Sequence, residues 1–460
     1  GVKVHLYREL MPTPALSYAV RELGCDTGVV ITASHNPAAY NGFKAYDPTG
    51  CQIGTEIADR VQQEILGTDL FDGVCCADFD KAVAEGMIEY IPASFVEQYL
   101  DRVYTQSLEP QVCAKAGLKL VYTPLNGAGN KAVRHMFKRL GIEDVKVVPE
   151  QEHPDGNFPT CPYPNPESPA ALELGLRLCE ETGADILLAT DPDCDRVATA
   201  VLHEGKYRIL SGNELGILML DYICRTRQKL GKMPEHPVAI RSLVSSAMTD
   251  KVAESYGVEL RKVLTGFKYV GEVIAELEAE RRGDSFIFAF EESCGYLSGG
   301  YVRDKDAVDA SLLVAEMASA AKLEGKTLAD WLEELYQKHG VWRSDVDNFI
   351  FEGASGMQAM ANIMERLRNH PPAELAGDEV ASVLDYQTGR EISGGQSREA
   401  KLPFTNMIEL RLKNGNTILV RPSGTEPKIK VYYTIIAQSH DQANEETQAY
   451  RKAGKSLIQG

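Results

Sequence analysis

Short apolar runs alternate with amphipathic stretches along the first three quarters of the chain. Apolar runs at residues 28–31, 118–122 and 184–189 predict short buried strands. Residues 131–140 and 306–323 carry apolar side chains at helical spacing, which predicts helices that pack on those strands. This alternation indicates mixed α/β units with largely parallel sheets. A more acidic stretch at 54–103 is predicted to be helical.

The pattern changes near residue 343. Residues 408–412 alternate apolar and polar side chains, which predicts a half-buried strand, and further strands are expected at 417–420 and 429–435. Helices are predicted at 357–368 and at the end of the chain. Asn213 is expected to cap a helix at 214–225. Residues 340–348 are expected to form a linker that lets the last domain rotate.

The fold class predicted is therefore α/β, with three similar mixed α/β domains and a C-terminal α+β domain around a central cleft. The predicted domains are residues 1–113, 114–212, 213–342 and 343–460. Because Gly1 is followed at once by a strand, we expect the first domain to be N-terminally incomplete.

Composition narrows the functional classes. The 460 residues carry a net charge of −18, which argues against a nucleic-acid partner, since phosphate backbones require a basic face. No apolar run is long enough to span a membrane. The ten cysteines lack metal-binding spacing, and we expect reduced thiols and a cytoplasmic location.

In each predicted domain, one strand leads directly into an unusual polar loop. The first loop is Thr-Ala-Ser-His-Asn-Pro at residues 32–37, where Ser34 is a candidate nucleophile. A serine hydroxyl needs activation, and His35 and Lys44 are the nearby groups that could handle its proton or charge. The alternative is a serine turn before a proline.

The second loop carries Asp191, Asp193 and Asp195. Carboxylates this close repel one another unless a cation neutralises them, and oxygen ligands favour Mg²⁺ or Ca²⁺. An EF-hand is excluded because Arg196 and Leu202 stand where glycine and glutamate are required. The remaining alternative is a solvated acidic turn.

Two further loops carry groups suited to sugars and phosphates. Glu291 and Ser293 follow an apolar strand and could bond sugar hydroxyls, although a glutamate pair alone is a weak signal. Residues 421–425 (Arg-Pro-Ser-Gly-Thr) offer a guanidinium, hydroxyls and amides to a phosphate monoester, with Lys428 and Lys430 adding charge. A hairpin turn would explain only part of this cluster. Nucleotide-binding signatures such as GxxxxGK[ST] are absent.

With these four loops in this order, the chain resembles the α-D-phosphohexomutase superfamily, and most of all its phosphoglucomutase and phosphopentomutase branch. Family members begin with a Gly-Thr-x-Gly-x-Arg-like segment upstream of residue 1, which is missing here. The resemblance implies that domains one to four carry the phosphoserine, the metal, the sugar and the phosphate contacts.

The resemblance also implies a reaction. Phospho-Ser34 would exchange its phosphoryl group with glucose 1-phosphate and glucose 6-phosphate through glucose 1,6-bisphosphate, which serves as intermediate and activator. One Mg²⁺ per chain would be held by Ser34, Asp191, Asp193 and Asp195. The implied catalytic residues are Ser34, His35, Lys44 and Lys305. The implied substrate-binding residues are Arg196, Thr265, Gly266, Glu291, Ser293, Arg421, Ser423, Gly424, Thr425 and Lys430.

Several alternatives stay open at this point. A phosphomannomutase, a phosphopentomutase or a glucose-1,6-bisphosphate synthase would use the same site, and a non-catalytic sugar-phosphate binder belongs to a different class. The expected partners are small sugar phosphates, with no nucleic acid and no membrane. The expected oligomeric state is a monomer or a homodimer.

Overall fold

The computed structural model describes residues 1–69, 71–351, 355–401, 403–423 and 427–459. The chain divides into two units. Unit 1 comprises Gly1–Arg241, Ser255–Arg261 and Gly266–Trp331. Unit 2 comprises Ser242–Glu254, Lys262–Thr265 and Leu332–Gly460.

The N-terminal part of unit 1 contains short strands and helices. Its elements are β1 (Val4–Leu6), α1 (Thr13–Glu22), β2 (Gly28–Ile31), β3 (Phe43–Tyr46), α2 (Thr55–Gly67), α3 (Phe79–Ala84), β4 (Ile88–Tyr90), α4 (Ala93–Tyr104) and α5 (Gln111–Ala116). Strand β1 pairs in parallel with β4, and β2 pairs antiparallel with β3. Pro14 lies in the first turn of α1, where its missing N–H costs nothing.

Two predictions for this part need correction. Strand β2 forms where predicted, but it is not buried, because Val29 is 45% and Ile31 63% exposed. Among the described residues it pairs with β3 alone, and a two-stranded sheet leaves a face unpacked. The stretch 54–103 is not wholly helical, since β4 interrupts it.

A five-stranded sheet follows. Its elements are β5 (Lys119–Thr123), α6 (Gly129–Arg139), β6 (Asp144–Val147), α7 (Pro169–Thr182), β7 (Ile186–Thr190), β8 (Val197–His203) and β9 (Lys206–Leu210). The strand order is β6-β5-β7-β8-β9, in which β5, β6 and β7 are parallel and β8 and β9 antiparallel. Strand β7 is buried along its length, as its apolar run predicts.

The next sheet has the order β11-β10-β12-β13. Its segment contains α8 (Gly212–Lys229), β10 (Val238–Ser242), α9 (Met248–Ser255), β11 (Glu259–Val263), α10 (Phe267–Ala279), β12 (Phe286–Glu291), β13 (Gly295–Leu297), α11 (Ala307–Leu323) and α12 (Leu328–His339). Helix α11 is buried on nearly all sides, and Asp306 caps it by accepting the N–H groups of Val308 and Asp309.

The predicted cap of α8 is wrong. Ser211, not Asn213, is the N-cap, and its hydroxyl accepts the N–H of Glu214. The Glu214 carboxylate accepts the N–H of Ser211 in return, which completes a capping box. This reciprocal pair satisfies two helix-end donors at once, which a cap at Asn213 would not.

Most of unit 2 is an antiparallel sheet with helices packed on it. Its elements are β14 (Val341–Ile350), α13 (Gly356–Asn369), β15 (Glu374–Leu375), β16 (Asp378–Asp385), β17 (Arg390–Ser393), β18 (Gln396–Glu399), β19 (Ile408–Leu412), β20 (Thr417–Pro422), β21 (Lys428–Ala437) and α14 (His440–Gln459). The order is β14-β21-β20-β19-β16-β17-β18, with β15 on β16. Its core includes Met364, Ile418, Val431 and Tyr450.

The linker predicted at residues 340–348 is also wrong. Residues 341–350 form β14, which pairs with β21 over ten residues, from Val341 opposite Ala437 to Ile350 opposite Lys428. A segment bonded along its whole length in a sheet is not a free hinge. Within the described residues, no helix combines the length and apolar character that a membrane crossing requires.

The capping box at the start of α8 can be tested by mutation. Replacing Ser211 with alanine should lower the free energy of unfolding by about 0.5–2 kcal/mol, because the first turn of α8 loses an acceptor. Ser211→Thr keeps that acceptor and should stay near the original stability. Urea denaturation, with hydrogen exchange of the first-turn amides of α8, measures both. Equal stability of the alanine variant and the original protein would contradict this role of Ser211.

Candidate active site

Three of the four predicted loops meet in unit 1. The Ser34 hydroxyl donates to Asp191 Oδ2 at 3.3 Å and lies 3.2 Å from His35 Nδ1. Each loop holds one non-glycine residue at positive φ, namely Ser34 at 52°, Cys194 at 54° and Cys294 at 62°. Such conformations are unfavourable for these residue types and persist only where surrounding contacts hold them. The three loops are therefore held in fixed shapes.

The Asp191 loop begins where β7 ends. Asp191, Asp193 and Asp195 are almost fully buried, and one carboxylate oxygen from each lies within 4.8 Å of the others. Asp191 Oδ1 accepts the N–H groups of Asp195 and Arg196, both at 3.0 Å, which fixes the loop. Burial, together with the charges of Asp193 and Asp195, holds the pKa of Asp191 well above its usual range. The loop therefore favours a bound cation.

The donor set fits a divalent cation. The Oδ1 atoms of Asp193 and Asp195 are buried and have no hydrogen-bond partner in the part of the chain that the structure describes. A buried carboxylate oxygen without a partner is costly, and a metal ion would satisfy both atoms. Oxygen-only ligands suit Mg²⁺. The Lys44 ammonium already lies 2.8 Å from Asp193 Oδ2 and 3.1 Å from Asp195 Oδ2, as a stand-in positive charge.

Two lysine ammonium groups form ion pairs with these carboxylates. Lys305 Nζ lies 3.1 Å from Asp195 Oδ2 and 3.2 Å from Asp304 Oδ1. Burial alone would lower the pKa of both lysines, but Asp195 and Asp193 outweigh it at Lys44, and Asp195 and Asp304 outweigh it at Lys305. Both pKa values lie above the usual range. A lysine that acts as a base at neutral pH needs a lowered pKa. The pKa of Lys44 is raised in this arrangement, so that condition is not met.

His35 is different. Burial first, and then the Arg196 guanidinium, lower the pKa of its imidazole to about 4. The ring is therefore neutral at pH 7, and Nδ1 is within hydrogen-bond reach of the Ser34 hydroxyl. Among the predicted proton acceptors, His35 combines the geometry and the charge state that a base needs.

The Glu291 loop is joined to the Asp191 loop. Val197 N donates to Cys294 O at 3.0 Å, and Arg196 forms an antiparallel bridge with Gly295. Arg196 also donates to Ser293 O at 3.3 Å. These bonds place the proposed sugar-binding residues beside the carboxylates.

Glu291 itself is buried at the end of β12. Its Oε1 accepts the N–H of Gly266 at 2.5 Å, and burial raises the pKa of its carboxyl group. Gly266 has a φ of 121°, a conformation that a side chain would strain, so its N–H can turn toward Glu291. This hydrogen bond thus holds Gly266 and Glu291 together.

The remaining predicted residues are not part of unit 1. Thr265, Arg421, Ser423 and Lys430 belong to unit 2, and Gly424 and Thr425 lie outside the described residues. In unit 2, Arg421 on β20 stands directly opposite Lys430 on β21, and Ser423 N donates to Lys428 O at 2.8 Å.

Sequence reasoning missed two residues that contact the site. Thr13 donates its N–H to Asp193 O at 2.9 Å and its hydroxyl to Asp193 Oδ2 at 3.1 Å. Asp304 is buried beside Lys305. The only signals were the Pro-Thr-Pro start of α1 and the Arg-Asp-Lys-Asp run at 303–306, and neither indicates which carboxylate or lysine is contacted.

Comparison with known proteins gives one consistent result. Models of the four domains of phosphoglucomutase/phosphomannomutase match the chain: α/β/α domain I at residues 1–70, domain II at 97–205, domain III at 211–339 and the C-terminal domain at 373–452. The chain is 34% identical over 456 residues to the phosphoglucomutase of Staphylococcus haemolyticus, spanning 98% of this chain and 80% of that protein. It is 35% identical over 446 residues to the phosphoglucomutase of Staphylococcus aureus strain MRSA252, spanning 95% and 78%.

Solved structures share the fold. The putative phosphomannomutase of Thermus thermophilus matches with a TM-score of 0.71 at 22% identity, over 100% of this chain and 84% of that one. The Aspergillus fumigatus N-acetylphosphoglucosamine mutase, in complex with GlcNAc-6P and magnesium, matches with a TM-score of 0.52 at 16% identity, over 97% and 91%. Its serine-to-alanine variant in complex with glucose 1,6-bisphosphate matches with a TM-score of 0.51 at 15% identity, over the same shares.

The carboxylate cluster predicts a cation site that can be measured without turnover. Asp193→Asn should weaken Mg²⁺ or Mn²⁺ binding by at least the roughly 10- to 100-fold that losing an outer-shell partner typically costs. Titration calorimetry with Mg²⁺ and the EPR signal of free Mn²⁺ give the dissociation constants. Asp185→Asn is the control, because Asp185 pairs with Lys322 away from the cluster. Unchanged affinity in Asp193→Asn would exclude the cluster as the metal site.

Proposed function

The chain belongs to the phosphoglucomutase/phosphomannomutase family, the α-D-phosphohexomutases, and we propose that it interconverts glucose 1-phosphate and glucose 6-phosphate through a phosphoserine at Ser34. It is an enzyme of the isomerase class that moves a phosphoryl group. One observation carries the proposal: the Ser34 hydroxyl lies 3.3 Å from a buried triple carboxylate that two lysine ammonium groups flank. The names of its relatives at 34–35% identity support glucose phosphates as substrates.

The reaction consists of two phosphoryl transfers. In the first, the bond between phosphorus and Ser34 Oγ breaks as a sugar hydroxyl oxygen bonds to phosphorus, and the proton that the sugar hydroxyl loses is balanced by one that Ser34 Oγ gains. In the second, Ser34 Oγ bonds to the other phosphorus of glucose 1,6-bisphosphate as the bond between that phosphorus and its sugar oxygen breaks, and the proton that the Ser34 hydroxyl loses is balanced by one that the sugar oxygen gains. Positioning and charge neutralisation, not new covalent chemistry, dominate such transfers.

The residues of unit 1 divide this work. Lys44 and Lys305 stay protonated and stabilise negative charge on the transferring oxygens. His35, neutral at pH 7, takes the proton from the Ser34 hydroxyl when it is rephosphorylated. Asp191, Asp193 and Asp195, with a Ser34 oxygen, would hold one Mg²⁺, which supplies neutralising charge to the phosphoryl group.

Substrate contacts follow the loops. Arg196, Glu291 and Ser293 would bind sugar hydroxyls, with Thr265 and Gly266 as further contacts. Arg421, Ser423, Gly424, Thr425 and Lys430 would hold the phosphate that does not react. We also assign the four roles to residues 1–113, 114–212, 213–342 and 343–460 in that order, in keeping with the order of the matched family domains.

Two general properties complete the proposal. All ten cysteines are free, which supports a reducing compartment such as the cytoplasm. Small sugar phosphates are the proposed partners, and the charge of −18 disfavours nucleic acid and anionic membranes. We expect a monomer or a homodimer.

Ser34→Ala tests the mechanism. A coupled assay from glucose 1-phosphate to glucose 6-phosphate, with Mg²⁺ and a trace of glucose 1,6-bisphosphate, should show turnover in the original protein. The alanine variant should fall to background, because the phosphoryl acceptor is gone. Intact mass after glucose 1,6-bisphosphate treatment should rise by one phosphoryl group only when Ser34 is present. Ser456→Ala, an exposed helical serine, should behave like the original protein.

The same assay distinguishes the proposed function from the alternative activities. Mannose and ribose phosphates, offered at equal concentration, identify a mutase with another sugar preference. 1,3-Bisphosphoglycerate as phosphoryl donor identifies a bisphosphate synthase. Full turnover in Ser34→Ala would exclude the phosphoserine mechanism for all of them.

A further inference from the structure

Asp304 contacts Lys305 but is not among the residues assigned to the proposed reaction. It is 1% exposed. Its Oδ1 accepts the Lys305 backbone N–H at 2.8 Å and the Lys305 ammonium at 3.2 Å. Its Oδ2 accepts the Tyr46 hydroxyl at 2.5 Å and the Gln52 amide at 2.7 Å. Both carboxylate oxygens are thus engaged twice, which fixes the orientation of the group.

The groups that hold Asp304 come from the segment that follows the Ser34 loop. Tyr46 is the last residue of β3, two positions after Lys44, so both side chains project from the same face of the strand. Lys44 reaches Asp193 and Asp195, whereas Tyr46 reaches Asp304. One short strand therefore contacts both the metal-binding carboxylates and the support of Lys305.

Tyr46 is itself held firmly. It is fully buried, and its carbonyl accepts the Thr27 hydroxyl at 2.9 Å. An antiparallel bridge between Tyr46 and Gln52 brings the Gln52 amide to the same carboxylate. Asp304 thus receives two donors whose positions the backbone fixes.

Lys305 has little freedom except at its end. Its aliphatic chain crosses Gly295, where an added Cβ would lie 2.2 Å from Lys305 Cδ. Its Nζ lies 5.6 Å from the centre of the Phe267 ring. Two carboxylates, Asp195 and Asp304, then decide where the ammonium sits. Of these, Asp195 belongs to the proposed metal cluster and Asp304 does not.

We propose that Asp304, oriented by Tyr46 and Gln52, is a positioning residue that keeps the Lys305 ammonium beside the reacting phosphoryl group. Without Asp304, Lys305 would be anchored by Asp195 alone and would compete directly with a divalent cation for that carboxylate. The consequence for turnover rests on the proposed function, whereas the anchoring of Lys305 does not.

Amine footprinting tests the anchoring without any turnover. Tyr46→Phe removes one hydrogen bond to Asp304 and keeps the ring. Acetylation of Lys305, followed by mass spectrometry, should become about two- to tenfold faster, the range that one hydrogen bond covers. Asp304→Asn should act in the same direction and more strongly. Lys229, paired with Glu109 at 2.9 Å, is the internal reference.

Tyr222→Phe is the matched control. Tyr222 is also a buried tyrosine that donates to a buried carboxylate, Glu316, at 2.8 Å, but that carboxylate does not contact Lys305. Its loss should leave the Lys305 acetylation rate unchanged. An unchanged rate in Tyr46→Phe, or an equal increase in the control, would overturn the anchoring role.

Kinetics test the consequence. For Tyr46→Phe, kcat with glucose 1-phosphate should fall about two- to tenfold while KM changes less than about twofold, because a displaced ammonium weakens the transition state more than substrate binding. Thermal unfolding of each variant identifies effects of lost stability. Faster Lys305 acetylation with unchanged kcat would overturn the positioning role. Absence of hexose-phosphate turnover in the original protein would instead contradict the proposed function and leave the footprinting result valid.

Discussion

Electrostatic repulsion among three buried carboxylates is the constraint on which the site in unit 1 depends. Asp191, Asp193 and Asp195 follow a buried strand and stand within a few ångströms of one another in a water-poor environment. Such an arrangement is unfavourable without compensating positive charge, because the low dielectric strengthens repulsion as much as attraction. The chain supplies that charge from two distant places, Lys44 on β3 and Lys305 just before α11. The carboxylates therefore dictate where those two segments lie.

The loops are held by backbone contacts as well as by charge. Ser34, Cys194 and Cys294 adopt left-handed conformations, which is costly for residues with a Cβ. The bonds from Val197 to Cys294 and from Arg196 to Ser293 tie two of these loops together and keep that conformation in place. Thr13 contributes in the same way from the start of α1, since its N–H and hydroxyl both bond Asp193. A site that stabilises charge by fixed groups needs this rigidity, because mobile groups would have to reorganise during the reaction.

The sequence predicts the local parts of this structure better than the long-range ones. The apolar run before Asp191 predicts a buried strand, and β7 forms there. The Ser-x-x-Glu spacing from Ser211 to Glu214 indicates the correct cap of α8, and the choice of Asn213 overlooks it. By contrast, β14 contains Ser344, Asp345 and Asn348, which are poor strand formers, and it is a strand because β21 pairs with it along its length. The contact of Lys44 with Asp193, 149 positions apart, follows from no local pattern at all.

The lysines bear on how such a site works. From sequence, Lys44 is a candidate base, and a lysine base at neutral pH needs a lowered pKa. The carboxylates instead raise the pKa of both lysines, which favours the charged form of the two ammonium groups. A dianionic phosphoryl group on Ser34 adds about as much negative charge as a divalent cation adds positive charge. Binding both therefore leaves the net charge of the cluster nearly unchanged. On the proposed function, a metal ion beside a phosphorylated Ser34 would therefore add little net charge to the buried cluster.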